Sequence, residues 1–240
     1  MKTAIYRIHY GFETLYDSIE SIYSWADKII VVVSRIPWYA SNYVEYRGKQ
    51  VQIINPENID NNISALKQFE KIQVEIEEFN SPLNQWGHLV NKYSSEFVLT
   101  LEPDMLFPFE VETTDSVLAW KQVEFWKDKN WRIPQRKRVG PVLYHKPNNI
   151  ITKFNNLPTN QNYDISEKLT HNVGFCFSKE LMLYKHLLSI GFSKKIGDTP
   201  PNEDWYEDKW LNWTPETVDL EIAAGYEHLI PRVIIYDRSV

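Results

Sequence analysis

Apolar residues recur along this chain in two rhythms, and the shifts between them predict its elements. Residues 3–9, TAIYRIH, form a short first strand, and Leu15, Ile19, Ile22 and Tyr23 share one face of a helix over 14–25. The β-branched run in KIIVVVS, at 28–33, is the pattern of a strand buried on both faces, as in a parallel sheet covered by helices. VQII at 51–54 predicts a third strand. Ile63, Leu66, Phe69, Ile72, Ile76 and Phe79 then recur at steps of three and four, which predicts an amphipathic helix. A second helix begins near Ser81, a capping residue, with Pro82 in its first turn and Leu83, Trp86, Leu89, Val90 and Tyr93 on one face. EFVLTL at 96–101 is the next strand.

The second half is patterned differently. VLAWKQVEFW and RVGPVLYHK predict longer strands, NIITKFNNLPTNQNYD a polar loop, HNVGFCFS at 171–178 a short strand, and KELMLYKHLLSI a helix at about 179–190. The tail GYEHLIPRVIIYD ends in a strand. Strands alternating with helices give an α/β fold with a mostly parallel central sheet flanked by helices. No repeat or low-complexity tract divides the chain, so one domain over 1–240 is expected. Ligands of such sheets bind beyond the carboxyl ends of the strands.

That edge is where SSEFVLTLEPDMLFP places Glu102 and Asp104, with Pro103 between them. Acids two apart also occur at Glu75/Glu77, Glu110/Glu112 and Asp219/Glu221, so position rather than spacing carries the signal. In extended backbone, residues i and i+2 point the same way, and two converging carboxylates repel unless a cation lies between them. Hard oxygen ligands suit Mg²⁺ or Mn²⁺ bound jointly with a phosphate. The alternative is a solvated acidic turn in which Asp104 caps a helix over Met105–Phe109.

Composition narrows the partners. With 26 Lys and Arg against 32 Asp and Glu the net charge is −6, which argues against nucleic acid as a main partner; the one basic cluster, RIPQRKR at 132–138, is local. The single cysteine, Cys176, excludes an internal disulfide framework, fits a reducing compartment, and reads as a buried thiol between Phe175 and Phe177. The amino-terminal residues lack the apolar run of a signal peptide and no stretch approaches the length of a membrane span, so a cytoplasmic protein is expected. Aromatic residues reach 14%, enough to raise ligand stacking as a use for them.

YGFETLYDSIESIYSWADKIIVVVS resembles the start of GT-A glycosyltransferases of the family-2-like type, and NQWGHLVNKYSSEFVLTLEPDMLFP resembles the segment that ends in their DxD motif. HNVGFCFS is similar to their glycine-containing strand before the acceptor site, PNEDWYEDKW to their acidic helix start, and GYEHLIPR to the place of a late metal-binding histidine. The resemblance spans nearly the whole chain. It implies a nucleotide-sugar-binding half at 1–108 and an acceptor-binding half at 109–240, with a smaller mixed acceptor-side region beside the main sheet. It implies Mn²⁺ or Mg²⁺ as cofactor, a nucleoside-diphosphate sugar as donor, and a glycan or other hydroxyl as acceptor.

By residue, the resemblance implies metal ligation by Asp104, Glu102 and His228, with His171 the competitor of His228. Donor contacts would come from Tyr10, Glu13, Ser34, Trp86, Glu102, Asp104 and Arg138, and acceptor contacts from Gly174 and Trp205. Asp204, beside Glu203, would take the acceptor's proton, and a single displacement of this kind inverts the anomeric configuration. Asn202, Glu203 and Asp204 also suit a plain helix start. Arg136, Lys137 and Arg138 can clamp a diphosphate or form a solvated turn, and Trp205, Trp210 and Trp213 can form a sugar platform or core. His9, His88, His145 and His186 have no partner that spacing identifies.

Two departures from the family stand out. Ser34 and Arg35 occupy the place of an Asp that reads the nucleotide base, and Glu102 replaces the first Asp of DxD, which ranks Asp104 first as metal ligand. A catalytically inactive nucleotide- or sugar-binding module on the same scaffold is therefore the second reading. A sugar-phosphate nucleotidyltransferase lacks support because only Gly11 follows the first strand; a glycoside hydrolase needs acids farther apart than a strand end provides, a role open to Glu102 with Asp204.

Overall fold

The computed structural model describes residues 1–36, 41–78, 84–133, 139–153, 155–214 and 234–235, with the backbone alone at 129–133 and 234–235. The chain begins with β1 (Lys2–Ile8), α1 (Phe12–Ile22), β2 (Lys28–Val33), β3 (Tyr43–Tyr46), β4 (Lys49–Gln52), α2 (Ile59–Leu66), β5 (Ile72–Ile76), α3 (Gln85–Lys92), β6 (Phe97–Leu101) and β7 (Met105–Leu106). It continues with β8 (Leu118–Trp126), β9 (Asp128–Ile133), β10 (Val139–His145), β11 (Asp164–Phe175), α4 (Lys179–Ile196), a π-helical run (Tyr206–Leu211) and β12 (Ile234–Ile235). Two compact units form, one of residues 1–38, 58–122 and 137–172, the other of 39–57, 123–136 and 173–240. The two units are interleaved along the chain.

In the first unit β1 pairs in parallel with both β2 and β6, and β2 with β5, giving the order β5-β2-β1-β6. β10 is antiparallel to β6 and to the start of β8, and β7 is antiparallel to β11. Ile29, Ile30, Val31, Val32 and Val33 are all fully buried, as the continuous β-branched run predicts. Alternate residues serve opposite faces. Ala4, Tyr6, Ile8, Val31, Leu99 and Leu101 pack with Phe12, Leu15, Ile19 and Ile22 of α1 and Ile63 and Leu66 of α2. Ile5, Ile30, Val32 and Val98 pack with Trp86, Leu89 and Val90 of α3. The result is an α/β layer structure with α1 and α2 on one side of the sheet and α3 on the other.

Two expectations from periodicity give way. The stepped apolar residues from Ile63 to Phe79 do not form one helix: α2, capped by Asn58 through Asn61 N–H at 3.0 Å, stops at Leu66, and Ile72–Ile76 is a strand. Ile72, Val74 and Ile76 also alternate with period two, and the open edge of β2 needs a partner for its amides and carbonyls, supplied in the register Val31↔Val74. Phe79 lies outside the described residues. VQII does not join the main sheet; β4 pairs with β3 in a two-stranded hairpin, Val44 opposite Val51. Its turn, Arg47 (φ 50°) and Gly48 (φ 69°), has the paired positive φ of a type I′ turn.

In the second unit the later part of β8 pairs with β9, and β9 with β12. The strand and helix expected at 171–190 are both longer, β11 starting at Asp164 and α4 running on to Ile196 before Gly197 ends it with φ 74°. Trp126, Phe175, Trp205, Trp210 and Trp213 are all buried, with Trp126 edge-on to Trp205 at 5.9 Å. These tryptophans are core, which decides against the open sugar platform. Cys176 is half-buried between buried Phe175 and Phe177. Among the described residues no helix is long and apolar enough to cross a membrane. The Ser81 cap and Pro82 lie outside the described residues.

Gly87 fixes how α3 meets the loop after β10. Its N–H donates to Thr152 Oγ1 at 2.9 Å, and a Cβ there would stand 2.6 Å from the Ile150 carbonyl. A backbone oxygen yields little, so Gly87→Ala is expected to destabilise the fold by about 1–3 kcal/mol through overpacking. A lowered urea midpoint with unchanged m-value checks this.

Candidate active site

Because β1, β2, β5 and β6 run in parallel, their carboxyl ends share one edge, and His9, Ser34, Glu78, Glu102 and Asp104 all follow those ends. Glu102 and Asp104 are not in extended backbone. Glu102–Met105 is a tight turn closed by Met105 N–H to the Glu102 carbonyl at 3.1 Å, with Pro103 at the position where its fixed φ favours turning. The alternation argument for two parallel carboxylates therefore does not apply, nor does a helix over 105–109, since Met105–Leu106 is β7. α1 holds the segment behind the turn: Ser18 Oγ donates to the Met105 carbonyl, and Ser21 Oγ accepts from Phe107 N–H at 3.1 Å.

Glu102 is met by an arginine. Arg7, 8% exposed on β1, donates from Nη2 to Glu102 Oε1 at 3.2 Å and from Nη1 to Gln85 Oε1 at 2.8 Å, with its guanidinium 4.8 Å from the Trp86 ring centroid. Trp86 is itself 1% exposed, so it backs Arg7 from within the core rather than presenting a ligand face. Asp104 is 7% exposed. The strand-end acids are thus unequal, one paired across the sheet and the other sunk into the turn.

At the neighbouring strand ends, His9 Nδ1–H donates to the Ser34 carbonyl at 2.9 Å, and burial lowers the His9 pKa. Ser34 Oγ donates to Glu78 Oε2 at 2.5 Å, and Glu78 Oε1 accepts from Arg35 N–H at 2.8 Å. The edge therefore carries a carboxylate beside Ser34, supplied by Glu78 after β5. Arg35 pairs outward with Asp60 at 2.5 Å. Tyr10 is half-buried and edge-on to His9 at 6.2 Å, and Glu13 is exposed in the first turn of α1 after Gly11, whose φ is 94°.

In the second unit, Asn202 Oδ1 accepts from Asp204 N–H at 2.8 Å in an Asx turn, while the π-helical run that follows has Trp205 at its N-cap and no side-chain capping bond. Asp204 Oδ1 is held by Arg47 Nη2 at 2.8 Å, while Arg47 Nη1 meets Glu207 Oε1 at 2.9 Å. Glu203 receives the Arg47 N–H on its side chain and the Tyr46 hydroxyl on its carbonyl, the latter at 2.9 Å. His186 is 1% exposed and stacked on Trp205 at 5.7 Å, and its Nε2–H donates to the Glu203 carbonyl at 3.3 Å. Trp205 is 3% exposed, and Gly174 is buried with its carbonyl accepting from Lys185 Nζ at 2.7 Å.

For a divalent metal the described donors are Asp104 and Glu102. Two carboxylates with the phosphate oxygens of a substrate suffice for Mg²⁺ or Mn²⁺, so the donor set fits. Among the described residues no three His, Cys, Asp or Glu side chains gather as a metal cluster. His171 faces Leu106 across the β7–β11 pair. His228, Arg136, Lys137 and Arg138 lie outside the described residues. A separate surface hollow of about 330 Å³, lined by Lys153, Asn155, Leu157, Pro158, Thr159 and Tyr163, contains none of the residues singled out from the sequence.

Four functional candidates escaped the sequence reading: Arg7, Gln85, Glu78 and Arg47. Arg7 left the clearest trace, a charge inside an otherwise apolar strand, and Arg47 precedes a glycine at a hairpin apex. Glu78 and Gln85 carried no local signal, because their partners are far away in the chain.

The layout of the parallel sheet and its helices fits the GT-A fold of glycosyltransferases. No protein-family model matches the chain, and no curated protein does. Among solved structures it is similar to the mannosyltransferase PcManGT from Pyrobaculum calidifontis in complex with GDP-Man and Mn²⁺, with a TM-score of 0.43 and 8% identity over 84% of this chain and 66% of that one. It is also similar to residues 1–349 of S. aureus TarS in complex with UDP, with a TM-score of 0.43 and 12% identity over 88% of this chain and 71% of that one. The chain spans about two thirds of the length of these structures. At such scores the likeness carries no argument about the site, which rests on the chain's own residues.

Two outcomes follow from this geometry. Removing one partner of a largely buried ion pair strands the other charge, so Arg7→Met is expected to cost about 3 kcal/mol, with Arg7→Met/Glu102→Gln recovering part of it in a double-mutant cycle of urea midpoints. Burial holds the His186 pKa down at about 4, against about 6.5 in an unfolded chain. Between those values the unfolded state binds the extra proton, so stability rises with pH; the contribution, at most about 3 kcal/mol, is complete above pH ~6.5 and is lost as pH falls towards ~4. Urea midpoints from neutral pH down to that limit should fall more steeply for wild type than for His186→Phe.

Proposed function

We propose that this protein is a glycosyltransferase that moves a sugar from a nucleoside-diphosphate donor to an acceptor hydroxyl with the help of a divalent metal. The observation that carries this reading is the shared edge of four parallel strands, where the Glu102–Asp104 turn, His9, Ser34 and Glu78 follow strand ends and Arg7, on β1, reaches Glu102. Such an edge is where open α/β sheets bind nucleotides.

In this reading Asp104, with Glu102, would hold Mg²⁺ or Mn²⁺, which when bound neutralises charge on the leaving diphosphate. Arg7 fixes Glu102 beside the nucleoside part of the donor, and Tyr10, Glu13 and Ser34 complete that side. Gly174 and the buried Trp205 back the acceptor side. The acceptor oxygen gives its proton to Asp204, forms the bond to the anomeric carbon with its lone pair, and the bond from that carbon to the diphosphate oxygen breaks with its electron pair going to the diphosphate. Glu203 orients the segment that carries Asp204. One displacement inverts the anomeric centre.

A nucleotide-binding module without turnover is the second reading, favoured by the engagement of Asp204 Oδ1 by Arg47. Thermal unfolding with UDP, GDP, dTDP and CMP, each with and without Mn²⁺, tests the donor site. One nucleotide with Mn²⁺ at about a hundredfold over its Kd should raise the midpoint by roughly 5 °C or more, and Asp104→Asn should abolish the metal-dependent part. If no nucleotide stabilises the protein, the donor site is wrong; binding without turnover of any matching nucleotide sugar supports the module. NMR of the product linkage checks inversion, and retained configuration overturns the single displacement.

A further inference from the structure

The tip of the β3–β4 hairpin is fastened to the acidic segment at 203–207 by more contacts than a hairpin turn needs. Arg47 donates from one arm to Asp204 Oδ1 at 2.8 Å, from the other to Glu207 Oε1 at 2.9 Å, and through its backbone N–H to the Glu203 side chain. The adjacent Tyr46 hydroxyl donates to the Glu203 carbonyl at 2.9 Å, and the Tyr46 ring stands edge-on to His186 at 6.0 Å. Lys194 on α4 secures the same strand by donating to the Glu45 carbonyl at 2.9 Å.

The type I′ turn places Arg47 at φ 50°, a backbone conformation that glycine or asparagine adopts at less cost. The arginine at this position is therefore held by its side-chain partners rather than by turn preference. Its planar fork spans two carboxylates three residues apart, a task that a point charge on a flexible stem does poorly. Without it, Asp204 and Glu207 would repel each other and turn apart. With it, Asp204 Oδ1 is engaged while the side chain remains 59% exposed, and among the described residues no hydrogen bond is made to Oδ2.

We propose that Arg47 is a positioning residue for Asp204: by gripping Oδ1 and bridging to Glu207 it leaves Oδ2 facing outward in one orientation to accept the proton of the acceptor hydroxyl. This rests on the assignment of Asp204 as the base in the proposed transfer. Arg47 touches neither donor nor acceptor in this role. Its loss acts on kcat and leaves the donor KM in place.

The experiment compares wild type, Arg47→Ala, Arg47→Lys and Asp204→Asn in steady-state transfer with the nucleotide sugar whose diphosphate stabilises the protein, alongside thermal midpoints with that diphosphate and Mn²⁺. Arg47→Ala is expected to lower kcat by 10-fold or more with donor KM within about twofold, and Arg47→Lys to restore only a minor part, because one ammonium does not bridge both acids. Nucleotide-induced stabilisation should be the same in all four proteins, which separates misplacement of the base from loss of the fold. Unchanged kcat in Arg47→Ala while Asp204→Asn is inactive overturns the positioning role and leaves the base assignment standing. Full activity in Asp204→Asn overturns the base assignment, and with it this inference.

Discussion

The parallel pairing of β1, with β2 on one side and β6 on the other, is the constraint from which the rest of the first unit follows. Strands buried on both faces have no water for their amides and carbonyls, so the ladder must supply every partner. Parallel strands also require crossovers, and the crossovers are the helices that cover the sheet. The same pairing gathers the carboxyl ends of four strands on one edge. Chemistry at that edge is thus a by-product of how the backbone satisfies its own hydrogen bonds.

Charge at the edge is handled by unlike means. Glu102 is answered across the sheet by Arg7, which itself leans on Gln85 and the face of Trp86. An arginine at 8% exposure is tolerable because Nη1 and Nη2 have directed acceptors and its guanidinium lies over an aromatic ring. Asp104 is set by the Pro103 turn and by two serines of α1 that grip the backbone behind it. A strand can end in two like charges because each is assigned its own surroundings.

The second unit solves a different problem. Its acids at 203, 204 and 207 stand at the start of a short helical segment over a floor of buried tryptophans. The large rings pack edge-to-face with one another and stacked on His186. Burial keeps His186 neutral, so it can sit among aromatic rings and still donate to a backbone carbonyl. Part of the aromatic excess visible in the composition is buried here, in the core.

Local pattern by itself determined β1, α1, β2, β6 and the strand-end position of Glu102 and Asp104, because those features depend on neighbours within a few residues. It misread Ile72–Ile76, where a helical and a strand period coincide, and it sent VQII to the main sheet when a type I′ turn folds it onto β3 instead. Only the tertiary structure decided between the competing periods, through the unpaired edge of β2. It also decided the partners of the acids. Arg7 and Glu102 are 95 positions apart and Arg47 and Asp204 are 157 apart, and ion pairs across such distances are set by how strands and hairpins are brought together, which no local pattern encodes.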